Sequence, residues 1–266
     1  MSLKAVILDW AGTVVDHGSL APLSVFRRAF AQVGVEISDA EARGPMGLPK
    51  WDHIKAVGRI PRVAEAWKKA QGHDFCDADV DHLHALFLPM TLDAVAEHSA
   101  LIPGAAKVVA SLRERGLKIG STTGYDRPTM EALLPLAAEQ GYEPDCLVTA
   151  SDLPVGRPTP MMMYRCFLDL QVWPASSVVK VDDTVPGIAE GVAAGSWTVG
   201  VSTTGSPFGL SAEGAAALPP DQFAARRDSV ARELRAAGAD YVIESIRDLP
   251  PVLDEIEKRL AAGERP

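Results

Sequence analysis

Residues Ala5-Val6-Ile7-Leu8 set four apolar side chains in a row, two of them β-branched, and run directly into Asp9 and the small-residue stretch Ala11-Gly12-Thr13. Such a run has no polar face to turn to water, which predicts a strand buried on both faces, as in the interior of a parallel sheet. It delivers a carboxylate to the C-terminal edge of that sheet, where open α/β folds gather their ligands. Taken alone, Asp9 could equally cap the turn that follows.

The rest of the chain supplies the context. Leu20 to Val33 carries apolar residues at helical spacing, so the first strand feeds a helix and not a hairpin. Asp39–Arg43, Lys50–Arg59, Ile60–Gln71 and Asp77–His98 read as further amphipathic helices separated by Gly, Pro and Asp signals, with no strand among them. Strand and helix alternate again from Ile102. Strands are expected at Lys118–Gly124, Cys146–Thr149, within Val178–Thr184, at Trp197–Val201 and at Tyr241–Ile243, with helices between them, and the stretch Ala212–Pro220 reads as a mobile loop. The predicted fold is α/β: a Rossmann-like parallel sheet with helices on both faces, built from residues 1–18 and 100–266. A small all-helical domain, residues 19–99, is inserted after the first strand, with crossings near Asp16–Ala21 and Ser99–Pro103.

Composition narrows the function. A net charge of −9, with acids and bases interspersed, argues against nucleic acid or an anionic membrane as partner. A small anionic substrate would need a local positive site. Cys76, Cys146 and Cys166 are odd in number and scattered, which fits reduced thiols better than a disulfide framework or a zinc site. No signal peptide and no apolar run of membrane-spanning length are apparent, so a cytoplasmic location is expected.

Groups able to do chemistry stand where the apolar runs end: Asp9 with Thr13, the cluster Ser121-Thr122-Thr123-Gly124, the loop Gly156-Arg157-Pro158, and the pair Asp182-Asp183. Each has a plain reading as a turn, a helix cap or a solvated loop residue. Together, in this order, they resemble the haloacid dehalogenase superfamily of aspartyl phosphotransferases, and the helical insert resembles its cap domain. The resemblance implies that Asp9 attacks phosphorus, splitting one hard displacement into two easier ones. It also implies a Mg²⁺ ion held by Asp9, the carbonyl of Ala11 and Asp183, because a carboxylate and a phosphate repel without a cation between them. Thr123 and Arg157 would contact the phosphoryl group, one as donor and the other as counter-charge.

One departure from the superfamily pattern is informative. Most phosphatase members carry a general acid two residues after the nucleophile, and here that position is Ala11, which cannot protonate an alkoxide leaving group. The stretch Arg43-Gly44-Pro45-Met46-Gly47-Leu48-Pro49-Lys50-Trp51-Asp52-His53 offers other chemistry. Lys50 opens a helix and His53 follows three residues on, on the same face. A lysine in the first helical turn near other positive groups should have a lowered pKa, and a free amine can form an imine with an aldehyde. The iminium then acts as an electron sink, as breaking a carbon–phosphorus bond requires.

The sequences around Asp9, Met46–His53 and Gly120–Tyr125 resemble the phosphonatase family, the phosphonoacetaldehyde hydrolases. This resemblance implies a Mg²⁺-dependent homodimer that hydrolyses a small-molecule phosphonate, phosphonoacetaldehyde, to acetaldehyde and phosphate during 2-aminoethylphosphonate degradation. By position, Asp9 would be the nucleophile, Lys50 the imine-forming lysine and His53 its proton partner. Thr13, Met46, Gly47, Thr123, Gly124, Tyr125 and Arg157 would line the substrate site. Some family members carry a further Asp where this chain has Gly187, which leaves Asp182 or an extra water to take its place. Two rivals stay open: a Mg²⁺-dependent phosphatase or phosphomutase acting on a small phosphate ester, and a non-catalytic protein that binds a phosphorylated ligand.

Overall fold

The computed structural model describes residues 2–46 and 48–266. Six parallel strands form one sheet: β1 Ala5–Leu8, β2 Lys118–Thr123, β3 Cys146–Thr149, β4 Val178–Asp182, β5 Trp197–Val201 and β6 Tyr241–Ile243. Their order across the sheet is β3-β2-β1-β4-β5-β6, so the direction of winding reverses at β1. Leu8 therefore aligns with Ser121 on one side and Val181 on the other, and the chain leaves all three strands at the same edge. This is the topological switch point at which doubly wound sheets bind their ligands.

Helices cover both faces. On one side Val6, Leu8, Ile119, Val181 and Val199 pack against α6 Ala105–Glu114, α7 Arg127–Ala138 and α12 Leu249–Ala261. On the other, Ala5 and Ile7 meet α8 Met161–Leu170, while α9 Val185–Ala194 packs against β4 and β5. The expected loop at Ala212–Pro220 is incorrect in part. Ala212–Ala216 is a short helix (α10), because Ser211 Oγ accepts from Gly214 N and caps an alanine-rich turn that then needs no further partner. Between it and α12 lies α11 Pro220–Ala236.

The segment after β1 is helical throughout among the described residues: α1 Leu20–Gln32, α2 Asp39–Arg43, α3 Lys50–Gly58, α4 Pro61–Gln71 and α5 Asp77–Glu97. These helices share a hydrophobic cluster of their own, with Phe26, Phe30, Ile54, Trp67 and Leu83 at its centre. The two crossings to this cap run side by side, since Asp16 N donates to Ala100 O and Ile102 N to Val14 O. Asp16 and Ser19 both adopt left-handed backbone, at φ 55° and 50°, which L-residues occupy only when the surroundings impose it. Asp16 compensates by accepting the Leu20 and Ala21 N–H groups, each at 2.9 Å, and so caps α1 from outside the helix.

Candidate active site

Asp9 follows β1 directly, and its N–H donates to Val181 O at 3.0 Å, which pins the residue between β1 and β4. Asp182 and Asp183 leave β4 beside it, and oxygen atoms of the three carboxylates lie within 4.8 Å of one another. Such crowding in a buried place has electrostatic consequences. Burial, then repulsion from Asp182, raises the Asp9 carboxyl to about 6, with Arg157 and Lys180 opposing the rise. Burial, Asp9 and Asp182 push Asp183 well above the usual carboxylate range.

Asp182 differs from its neighbours. Burial would raise it as well, but Arg157 and Lys180 hold it below the usual range. Its Oδ1 accepts from Thr184 N and Oγ1, and its Oδ2 lies 3.2 Å from Arg157 Nη2 and 3.0 Å from Lys180 Nζ. Among the described residues Asp182 is thus already matched by two cations, whereas Asp9 shares a single one and Asp183 is met only by neutral donors, Thr13 Oγ1 at 3.1 Å and Ser206 N at 2.8 Å. A hard all-oxygen donor set with surplus negative charge fits Mg²⁺. Gly12 and Gly205 leave the approach to Asp183 open: a Cβ on either would stand 2.7 Å from Asp183 Oδ2, and Gly12 also requires its φ of 90°.

Above this edge lies a cleft of about 40 Å³, which admits only a small ligand. The core contributes Asp9, Ala11, Thr123, Gly124, Tyr125 and Arg157 to its walls, and the cap contributes Met46, Leu48 and Lys50. Lys50 Nζ sits 5.2 Å from the centre of the Phe26 ring and 5.5 Å from that of Tyr125, one ring from each domain. Burial lowers the Lys50 amine to about 8, with Asp126 opposing. Desolvation is the cause, and not the positive groups that the sequence reading invoked. His53 lies beneath, stacked on Phe26 at 3.8 Å. Its Nε2 is 2.7 Å from Ala42 O, and a carbonyl only accepts, so Nε2 carries the proton. Its Nδ1 is buried with no hydrogen-bond partner among the described residues. Burial and the charge of Lys50 lower His53 to about 3, so the ring is neutral at any ordinary pH.

Comparison with known proteins identifies the family. The model of the haloacid dehalogenase-like hydrolases matches residues 3–195. Phosphonoacetaldehyde hydrolase of Paraburkholderia xenovorans is 51% identical over 99% of both chains, and that of Aeromonas hydrophila 50% identical over 99% of this chain and 95% of its own. The crystal structure of a phosphonoacetaldehyde hydrolase-like protein from Oleispira antarctica superposes with a TM-score of 0.98 at 44% identity, covering 100% of this chain and 96% of that one. The chain belongs to the phosphonoacetaldehyde hydrolases. As a member of that family it is a hydrolase with the haloacid dehalogenase-like fold.

Most of the residues expected at the site of this phosphonoacetaldehyde hydrolase family member meet at the cleft. Thr13 does so indirectly: it is buried and gives its hydroxyl proton to Asp183. Thr123 Oγ1 accepts from Tyr125 N at 3.1 Å, which leaves the hydroxyl proton for another acceptor. Gly47 lies outside the described residues. Three residues escaped sequence reasoning. Lys180 and Glu190 join Thr122, from the cluster already named at the end of β2, in a buried polar group behind Arg157, and Phe26 carries Lys50 and His53. A charged residue inside the apolar run Val178–Val181 was the one available signal, since buried lysine needs a partner.

Proposed function

We propose that this protein hydrolyses phosphonoacetaldehyde to acetaldehyde and phosphate through an imine on Lys50 and an aspartyl phosphate on Asp9. The observation that carries the reading is the pairing, in one small cleft, of a desolvated lysine from the cap with a strand-end aspartate from the core. The neutral Lys50 amine attacks the aldehyde carbon and water leaves, giving a protonated imine. The Asp9 carboxylate then attacks phosphorus. The carbon–phosphorus bond breaks, and its electron pair passes into the iminium to give an enamine. Protonation and hydrolysis of the enamine free acetaldehyde and Lys50, and water cleaves the acyl phosphate. His53, neutral and with Nδ1 free of partners among the described residues, can accept a hydrogen bond there, and its low pKa suits it to pass the Lys50 proton onward and not to keep it. Thr123 and Arg157 orient the phosphoryl oxygens and offset their charge.

A Mg²⁺ ion bound by Asp9, Asp183 and the Ala11 carbonyl would supply the positive charge that lets carboxylate approach phosphonate. Asp182 is already engaged by Arg157, Lys180 and Thr184, so it supports the ion's site from behind. Residues 19–99 act as a cap over a core of residues 1–18 and 100–266, closing to exclude water from the imine. A homodimer is supported by the apolar face of α8, where Met161, Tyr164 and Leu168 (74% exposed) stand near Trp173 (78% exposed). No helix among the described residues is long and apolar enough to cross a membrane. We further propose a cytoplasmic place in 2-aminoethylphosphonate degradation. Ala11, where ester phosphatases keep their general acid, favours this reading over the ester phosphatase. A phosphate-release assay with phosphonoacetaldehyde and with simple phosphate esters tests the proposal: turnover of the phosphonate alone is expected, and preference for an ester would overturn it.

A further inference from the structure

Two buried charges have no part in the reaction just described. Lys180 stands in the middle of β4 and Glu190 on α9, and both side chains are fully shielded from solvent. A buried ion pair is unfavourable unless its protons and lone pairs are met; here the site meets those of Lys180 and of Glu190 Oε2, while Glu190 Oε1 has no hydrogen-bond partner among the described residues. Lys180 Nζ donates to Thr122 Oγ1 at 2.6 Å and lies 3.0 Å from Asp182 Oδ2 and 3.2 Å from Glu190 Oε2, so three acceptors face its three protons. Glu190 Oε2 also accepts from Thr122 Oγ1 at 2.9 Å and from Arg157 Nε at 3.2 Å.

Arg157 is consequently held at both ends. Its Nη2 donates to Asp9 Oδ1 at 2.7 Å and to Thr122 O at 2.8 Å, while Glu190 takes its Nε. The α9 sequence is shaped for this. Gly187, Glu190 and Gly191 share one helix face, and a Cβ on Gly191 would stand 2.8 Å from Lys180 Cβ. Only a glycine there lets the helix lie against the lysine stem. Glu190 is the acceptor at Nε, away from the Nη2 contacts to Asp9, Thr122 and Asp182, and so opposes rotation of the guanidinium about those contacts.

We propose that Glu190, supported by Lys180, is a positioning residue for phosphoryl transfer, fixing the Arg157 guanidinium against Asp9. The proposal rests on the roles given above to Asp9 and Arg157 and is independent of the Lys50 imine. The test is Glu190→Gln, which keeps the shape of the side chain and removes its charge. Turnover of phosphonoacetaldehyde is expected to fall by about 10- to 100-fold, the usual range for a residue supporting a functional group, with most of the loss in kcat. Trapping of Lys50 by acetaldehyde and borohydride should proceed at the parent's rate. The double variant Lys180→Met/Glu190→Gln removes the buried charges together. It should recover thermal stability without recovering turnover, which a merely structural pair would not show, and it decides the matter where the single variant folds poorly. Turnover close to the parent's in either variant overturns the proposal. Failure of the imine reading would look different, since it abolishes trapping in the parent enzyme.

Discussion

Lys50 is kept dry by the fold. The rings of Phe26 and Tyr125 flank its amine, and burial lowers its pKa to about 8 against an ordinary 10.5. Two consequences follow from that single shift. The free amine fraction grows tenfold per pH unit below about 8, so kcat/KM should rise with pH and level off there. A profile flat between about pH 6 and 9 would remove Lys50 from nucleophilic duty. In the second, an unfolded chain keeps the lysine protonated up to 10.5 while the folded chain releases the proton from about 8. The unfolded state therefore binds more protons within that window, and stability rises with pH across it. Lys50→Met should flatten this rise in denaturant titrations, and an unchanged slope would contradict the desolvated amine. The sequence pointed to Lys50 and His53 through their shared helix face. It could not show the desolvation, because Phe26 and Tyr125 come from distant parts of the chain.

At the scale of elements, β4 and α9 form one device. A Cβ on Gly187 would stand 2.0 Å from the Asp182 carboxyl, so α9 can lie against the strand only while this position is glycine. Asp182 occupies the space that an acid at position 187 would fill, which accounts for the absence of one there. Gly187→Ala should displace Asp182, loosen Arg157 and Lys180, and lower kcat by at least about tenfold. An Mg²⁺ titration of activity, read beside thermal unfolding, checks this, and parent-like kinetics would show that α9 yields instead. Most element boundaries were legible from periodicity because strands such as β1 and β5 are buried along their whole length and read as mainly apolar runs. The exceptions were local: Ser211 turned an expected loop into a helix turn, and Lys180 hid a buried network inside a strand. Pairwise hydrogen bonds between β2, β4 and α9 depend on sheet order, which no short stretch encodes.

Over the whole molecule, the cleft exists only where cap and core meet, and Arg43 ties the two together. From α2 it donates to Gly18 O at 2.9 Å, Ser206 O at 3.0 Å and Gly209 O at 3.1 Å. Ser206 N in turn donates to Asp183 Oδ2 at 2.8 Å, so the cap reaches the acidic centre through one loop. Arg43→Ala should favour the open form, raising KM about five- to fiftyfold with a smaller change in kcat. Solution scattering with and without a phosphonate analogue would show the shift, and identical kinetics and scattering would deny Arg43 this role. The sequence indicated an inserted helical segment and a Lys50 far from Asp9 in the chain, and the fold brings both to one cleft. The most direct test of the account is reduction with borohydride in the presence of phosphonoacetaldehyde or acetaldehyde, followed by peptide mass spectrometry. The account predicts irreversible inactivation, a reduced two-carbon adduct on Lys50, and loss of several powers of ten in turnover for Lys50→Arg, each about 1.4 kcal/mol of barrier. An enzyme that stays active under borohydride, bears no adduct and tolerates Lys50→Arg would contradict it.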